Sequence, residues 1–96
     1  MTQSTILANL KAHRKQLEAH GATALFAFGS WIRGDNRPDS NLNVFIEHAP
    51  GFVMTQLDEL RVLMEQITGL EIEITTKDAI PAAKFMSINC YAVQVY

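Results

Sequence analysis

The sequence predicts an α+β fold: a small mixed β-sheet with helices mainly on one face, its elements in the order α-β-β-α-β-α-β. Three observations predict it. Two long stretches carry apolar residues at helical spacing, several short runs are either wholly apolar or strictly alternating, and Gly or Pro punctuates the junctions between them.

Residues 4–20 read as the first helix, because Ile6, Leu10, His13 and Leu17 fall three and four apart and form one stripe. Ser4 can cap its start and Gly21 can end it. Residues 23–29 follow as a strand too apolar to have a solvated face. The second strand is expected at 42–47, with Leu42, Val44 and Ile46 on one side and Asn43, Phe45 and Glu47, continuing the row from Asn41, on the other. Pro50-Gly51 ends it in a turn.

The second long helix, from about residue 52 to 68, has the clearest amphipathic stripe, Val53, Leu57, Leu60, Met64 and Ile67, and Gly69 stops it. Residues 70–75 alternate: Leu70, Ile72 and Ile74 against Glu71, Glu73 and Thr75. A last helix over 81–88 starts at Pro81, where a missing N–H costs nothing, and 91–96 reads as a short buried fourth strand. With 96 residues, no repeat and no linker, a single domain over 1–96 is expected.

Composition narrows the function classes. The chain is 48% hydrophobic and 19% charged, as ordinary globular proteins are. Eight basic against ten acidic residues give a net charge of −2, which argues against holding nucleic acid by general electrostatic attraction. Lys11, Arg14 and Lys15 read as one solvated helix side. No apolar run approaches the ~20 residues that span a bilayer and no signal peptide is evident, so a cytoplasmic protein without membrane contact is expected. The single cysteine, Cys90, reads as a core residue, and His13, His20 and His48 have no metal-ligand spacing.

The segment from Phe28 to Asn43 is polar, glycine-punctuated and flanked by the first two strands. A Gly29-Ser30 step directly after a strand, opening a short turn of helix, presents backbone N–H groups and a hydroxyl above the strand end, which is a phosphate-binding geometry. The same residues also suit a simple helix start. Arg33 reads equally well as a contact to a triphosphate or as a surface ion pair with Asp35 or Asp39. Trp31 suits packing or the site wall, and Arg37-Pro38-Asp39-Ser40 shapes the turn into the second strand.

Gly29-Ser30, Arg33-Gly34-Asp35, Arg37-Pro38-Asp39-Ser40 and Val44-x-Ile46-Glu47, with Gly69 and the Ile72-Glu73 strand behind them, resemble the signature of the minimal nucleotidyltransferases, small members of the DNA polymerase beta-like superfamily. The resemblance implies that Gly29 and Ser30, with Arg33, hold nucleotide phosphates. It further implies that an Asp-x-Asp pair at 41 and 43 and a carboxylate at 73 bind two Mg²⁺, with ATP as substrate. Side chains two apart on a strand share a face, so such a pair can converge on one metal cluster.

Here the pair is Asn41 and Asn43. An amide keeps a carbonyl oxygen for a hard cation but brings no charge, which leaves Glu73 with Glu71 and Asp39 as weak helpers. Two origins fit: a natural variant that has lost the chemistry, or an Asp-to-Asn substitution of an active parent. The isosteric change confined to the two metal positions favours the second.

The resemblance also implies a partner, a HEPN-type ribonuclease toxin, with AMP passing from ATP to a toxin tyrosine. An antitoxin of this kind, impaired at its metal positions, is the functional expectation. The alternative is a non-catalytic module that neutralises its partner by binding it. Transfer to a small molecule such as an aminoglycoside fits less well, because those relatives carry a further acceptor domain.

Overall fold

Strand β1, Ala22–Phe28, is the hub of the sheet. In the computed structural model, which describes residues 3–29, 32, 34, 41–89 and 91–96, β1 pairs antiparallel with β2 (Leu42–His48) on one side and β4 (Val93–Gln94) on the other. Strand β3 (Ile72–Thr76) adds parallel to β2, giving the order β3-β2-β1-β4. Antiparallel neighbours need only a turn, whereas the parallel β2–β3 step needs a crossover, and the long helix α3 (Met54–Thr68) supplies it.

The predicted alternation decides the faces. Leu42, Val44 and Ile46 of β2 are almost fully buried and meet Leu25 and Ala27 of β1 and Ile72 of β3 in a core closed by Ile6 and Leu10 of α1 (Gln3–Ala12), Leu17 of α2 (Arg14–Ala19) and Leu60 and Met64 of α3. The opposite row of β2 carries Asn43, Phe45 and Glu47. There Phe45 stacks on its cross-strand partner Phe26, centroids 4.7 Å apart, and takes Phe85 edge-on at 5.7 Å. Phe85 lies in α4 (Ala82–Asn89), so this last short helix covers the second face while α1, α2 and α3 share the first.

Several boundaries differ from expectation for identifiable reasons. The helix predicted over 4–20 breaks at His13, whose Nδ1 lies 2.8 Å from the Asn9 carbonyl. That ring contact takes the acceptor the His13 backbone N–H would use in a continuous helix, and the N–H turns to the Leu10 carbonyl at 3.1 Å instead. His13 is accordingly exposed, while Ile6, Leu10 and Leu17 keep the stripe.

Val53 caps α3 rather than joining its stripe: its backbone is extended, it is 53% exposed, and its N–H donates to Gln56 Oε1 at 3.0 Å. At the other end Gly69 adopts the left-handed conformation at φ +72° and donates to the Glu65 carbonyl, as its predicted role as a stop requires. Glu65 Oε2 also accepts the Ile72 N–H at 3.1 Å, tying the helix to the entry of β3.

The segment predicted as a buried strand over 91–96 is a regular strand only at Val93–Gln94, beyond which the Val95 N–H still donates to the Leu25 carbonyl of β1 at 2.7 Å. Tyr91 is 58% exposed, and burial is confined to Val95 and Tyr96, whose hydroxyl donates to the Ala22 carbonyl at 2.8 Å. Cys90 lies outside the described residues. No described helix is long and apolar enough to cross a membrane.

Candidate functional site

The end of β1 and the starts of β2 and β3 meet at one edge of the second face. Phe28 pairs with Asn43 across the antiparallel step, and Asn43 pairs with Glu73 across the parallel one. Paired residues share a face, so register alone brings Asn43 and Glu73 together. The Leu42 N–H donates to the Glu71 carbonyl at 2.9 Å, which fixes the start of both strands and sets Asn41 beside them. From there Asn41 Nδ2 donates to Glu73 Oε1 at 2.9 Å. The three residues expected at the metal positions, Asn41, Asn43 and Glu73, therefore form one cluster.

Gly29 closes the cluster from β1. Its φ is +88°, in the region that glycine alone adopts freely, and a Cβ built there would stand 2.5 Å from Asn43 Nδ2. The amide of Asn43 thus occupies the space a side chain at position 29 would need. The Ile32 N–H donates to the Gly29 carbonyl at 3.1 Å. Ser30 and Arg33, expected to contact phosphate, lie outside the described residues, as do Trp31 and 35–40 with Asp39.

A cavity of about 610 Å³ opens beside this edge, with Gly29, Asn43 and Glu73 on the sheet side and Lys84, Ser87 and Tyr91 on the side of α4. That is within the size range of small-molecule sites, ~300–1,000 Å³. The α4-side residues were not singled out from the sequence. Lys84 and Ser87, three apart, would have marked one side of that helix once the second face of the sheet was known to be covered, whereas Tyr91 lies beyond its end. Glu71 does not line the cavity.

A second cleft at the opposite end of β2 is self-paired: Lys77 Nζ lies 2.9 Å from Glu47 Oε1, and His48 Nε2 lies 3.6 Å from Asp78 Oδ1. A side-chain hydrogen bond with Thr76, and secondarily His48, holds the Asp78 carboxyl below its ordinary range.

The donor set at the first site does not fit a two-cation centre. Hard divalent cations are held by several carboxylates. Here Glu73 is one carboxylate already hydrogen-bonded by an amide N–H, and among the described residues no group of three His, Cys, Asp or Glu could hold a metal ion.

No family model matches the chain. A protein adenylyltransferase, MntA, of Thermococcus cleftensis is 27% identical over 81 residues, covering 83% of this chain and 82% of that protein. A Methanocaldococcus jannaschii relative assigned to the same adenylyltransferases is 30% identical over 84 residues, with 82% of each chain covered. The chain belongs to the protein adenylyltransferases of the minimal nucleotidyltransferase family.

The fold agrees. A solved minimal nucleotidyltransferase superposes with a TM-score of 0.84 at 24% identity, over 97% of this chain and 95% of that one. The MNT antitoxin fold also matches in a complex with a tri-AMPylated HEPN toxin of Shewanella oneidensis, at a TM-score of 0.67, 10% identity, and 95% and 71% coverage. Within this adenylyltransferase family, the chain is one that has amides at 41 and 43.

Proposed function

We propose that the chain is the antitoxin of a HEPN/MNT toxin–antitoxin pair, that its site takes ATP, and that it restrains the toxin by binding it rather than by transferring AMP to a toxin tyrosine. The observation that carries this reading is the Asn41 Nδ2 to Glu73 Oε1 hydrogen bond. In a phosphoryl-type transfer, two cations would activate the attacking oxygen and neutralise the pyrophosphate leaving group. The amide N–H instead stands where a cation would draw on that carboxylate. Asn43, paired with Glu73 and packed on Gly29, adds a second neutral group. Gly29, with Ser30 and Arg33, keeps the phosphate-holding role in this reading.

Incubating the purified HEPN partner with labelled ATP, Mg²⁺ and the chain tests it. No AMP is expected on the toxin, while a stable complex forms. Robust AMP incorporation by the chain with Asn41 and Asn43 intact would overturn the reading. A second reading, an active enzyme disabled by substitution, rests on the isosteric Asn pair. Transfer that returns in the Asn41→Asp/Asn43→Asp variant supports it and assigns positions 41, 43 and 73 to the metal site.

A further inference from the structure

The charge balance of the cavity differs from that of a metal-dependent nucleotide site. Among the described residues, its only charged lining side chains are Glu73 and Lys84. Among these described residues one carboxylate and one ammonium cancel, and the carboxylate already accepts the Asn41 N–H. Lys84 lies in the first turn of α4 and is exposed. No ion pair among the described residues uses it, whereas the nearby Lys77 is held by Glu47. Ser87, three positions after Lys84 in the same helix, and Tyr91, beyond its end, also line the cavity, so an ammonium, a hydroxyl and an aromatic residue stand opposite the sheet edge.

Aspartates at 41 and 43 would add two negative charges beside Glu73. A polyphosphate would then be repelled unless divalent cations lay between. With amides at both positions, the described lining offers the same anion the Lys84 ammonium, the neutral Asn43 amide and one carboxylate that already accepts the Asn41 N–H.

We infer that this cavity binds a nucleoside polyphosphate without a divalent cation, with Lys84 as the counter-charge to the phosphates. The inference rests on the reading that the site takes a nucleotide, and deepens it by naming what replaces the metal. Mg²⁺ bound to the nucleotide weakens the association, because it removes the charge that Lys84 would neutralise.

Calorimetric titration of the full chain with the non-hydrolysable analogue AMP-PNP, in EDTA and in excess Mg²⁺, tests this. Binding in EDTA is expected to be tighter than in Mg²⁺. Lys84→Ala should weaken it about tenfold in EDTA, and Lys84→Arg should retain most of it. The Asn41→Asp/Asn43→Asp variant should reverse the preference, binding only with Mg²⁺. A cooperative thermal melt of each variant, with its midpoint above the titration temperature, establishes that it is folded, and Lys84 is exposed, so its replacement leaves the core intact. Binding that requires Mg²⁺ in the parent chain, or an unchanged affinity in Lys84→Ala, overturns the inference. Absence of binding in both buffers also overturns it, while a toxin complex formed in the same buffers leaves the antitoxin reading standing.

Discussion

Replacing Asn41 by Asp changes one group and reverses the sign of one contact. In the parent, Asn41 Nδ2 donates to Glu73 Oε1 at 2.9 Å. In Asn41→Asp that donor becomes a second acceptor carrying a charge. Losing a hydrogen bond to a carboxylate at this exposed position costs about 1 kcal/mol. Two unit charges about 4 Å apart repel by about 1 kcal/mol in bulk water and about 4 kcal/mol at an effective dielectric of 20. Asn41 is half-buried and Glu73 exposed, and both can rotate apart, so the lower part of that range, about 1–2 kcal/mol, applies. The total, about 2–3 kcal/mol, lowers the Tm of a domain of this size by about 10–20 °C in EDTA.

Mg²⁺ should then act oppositely on the two proteins. In the Asn41→Asp/Asn43→Asp variant, a cation at a hundred times its Kd returns about 2.7 kcal/mol, while the parent Tm stays unmoved. Urea or thermal melts by circular dichroism, with and without Mg²⁺, measure both effects. The reasoning is refuted if Asn41→Asp melts with the parent in EDTA, or if Mg²⁺ stabilises the parent as much as the variant.

Gly29 and Tyr96 carry the remaining predictions. Gly29→Ala meets a left-handed backbone and places a Cβ 2.5 Å from the tip of the Asn43 amide, which must swing aside, so it should cost more than Gly34→Ala, which at φ +83° has no described residue within 4 Å and loses only the backbone part, about 1 kcal/mol; equal urea midpoints for the two would contradict the packing of Asn43 on Gly29. Burial, and secondarily Glu18, pushes the Tyr96 phenol up to about 12 against the opposing effect of Arg14. The folded state therefore keeps this proton more tightly than the unfolded chain, so its stabilising effect is whole below about pH 10 and is lost towards pH 12, by about 2–3 kcal/mol. Tyr96→Phe should lose about 1 kcal/mol at neutral pH with the hydrogen bond to Ala22, and its stability should fall less steeply than the parent's above pH 10.

The parts of the fold visible in the sequence were those governed by local periodicity. The alternation in β2 and β3 placed Asn43 and Glu73 on one face, and Gly69 ended α3 as a left-handed cap should. Which faces of the sheet the helices cover depends on a tertiary contact, Phe85 on Phe45, that no short-range pattern encodes. The α4 wall of the cavity, with Lys84, was missed for that reason. The break at His13 was missed because a histidine at a stripe position reads as half-apolar, whereas its ring bonds to the backbone of the preceding turn. The hydrogen bond from Asn41 to Glu73 needed the parallel register of β2 and β3, although the residue types themselves already separated this chain from a carboxylate-rich metal site.

Inhibition of the HEPN partner's ribonuclease activity, measured with and without ATP and Mg²⁺ alongside the intact mass of the toxin, tests the central claim most directly. The account predicts that the chain inhibits the toxin at equimolar amounts without ATP or Mg²⁺, and that the toxin mass is unchanged in every condition. Inhibition that appears only with ATP and Mg²⁺, outlasts removal of the chain and leaves AMP on a toxin tyrosine would contradict it.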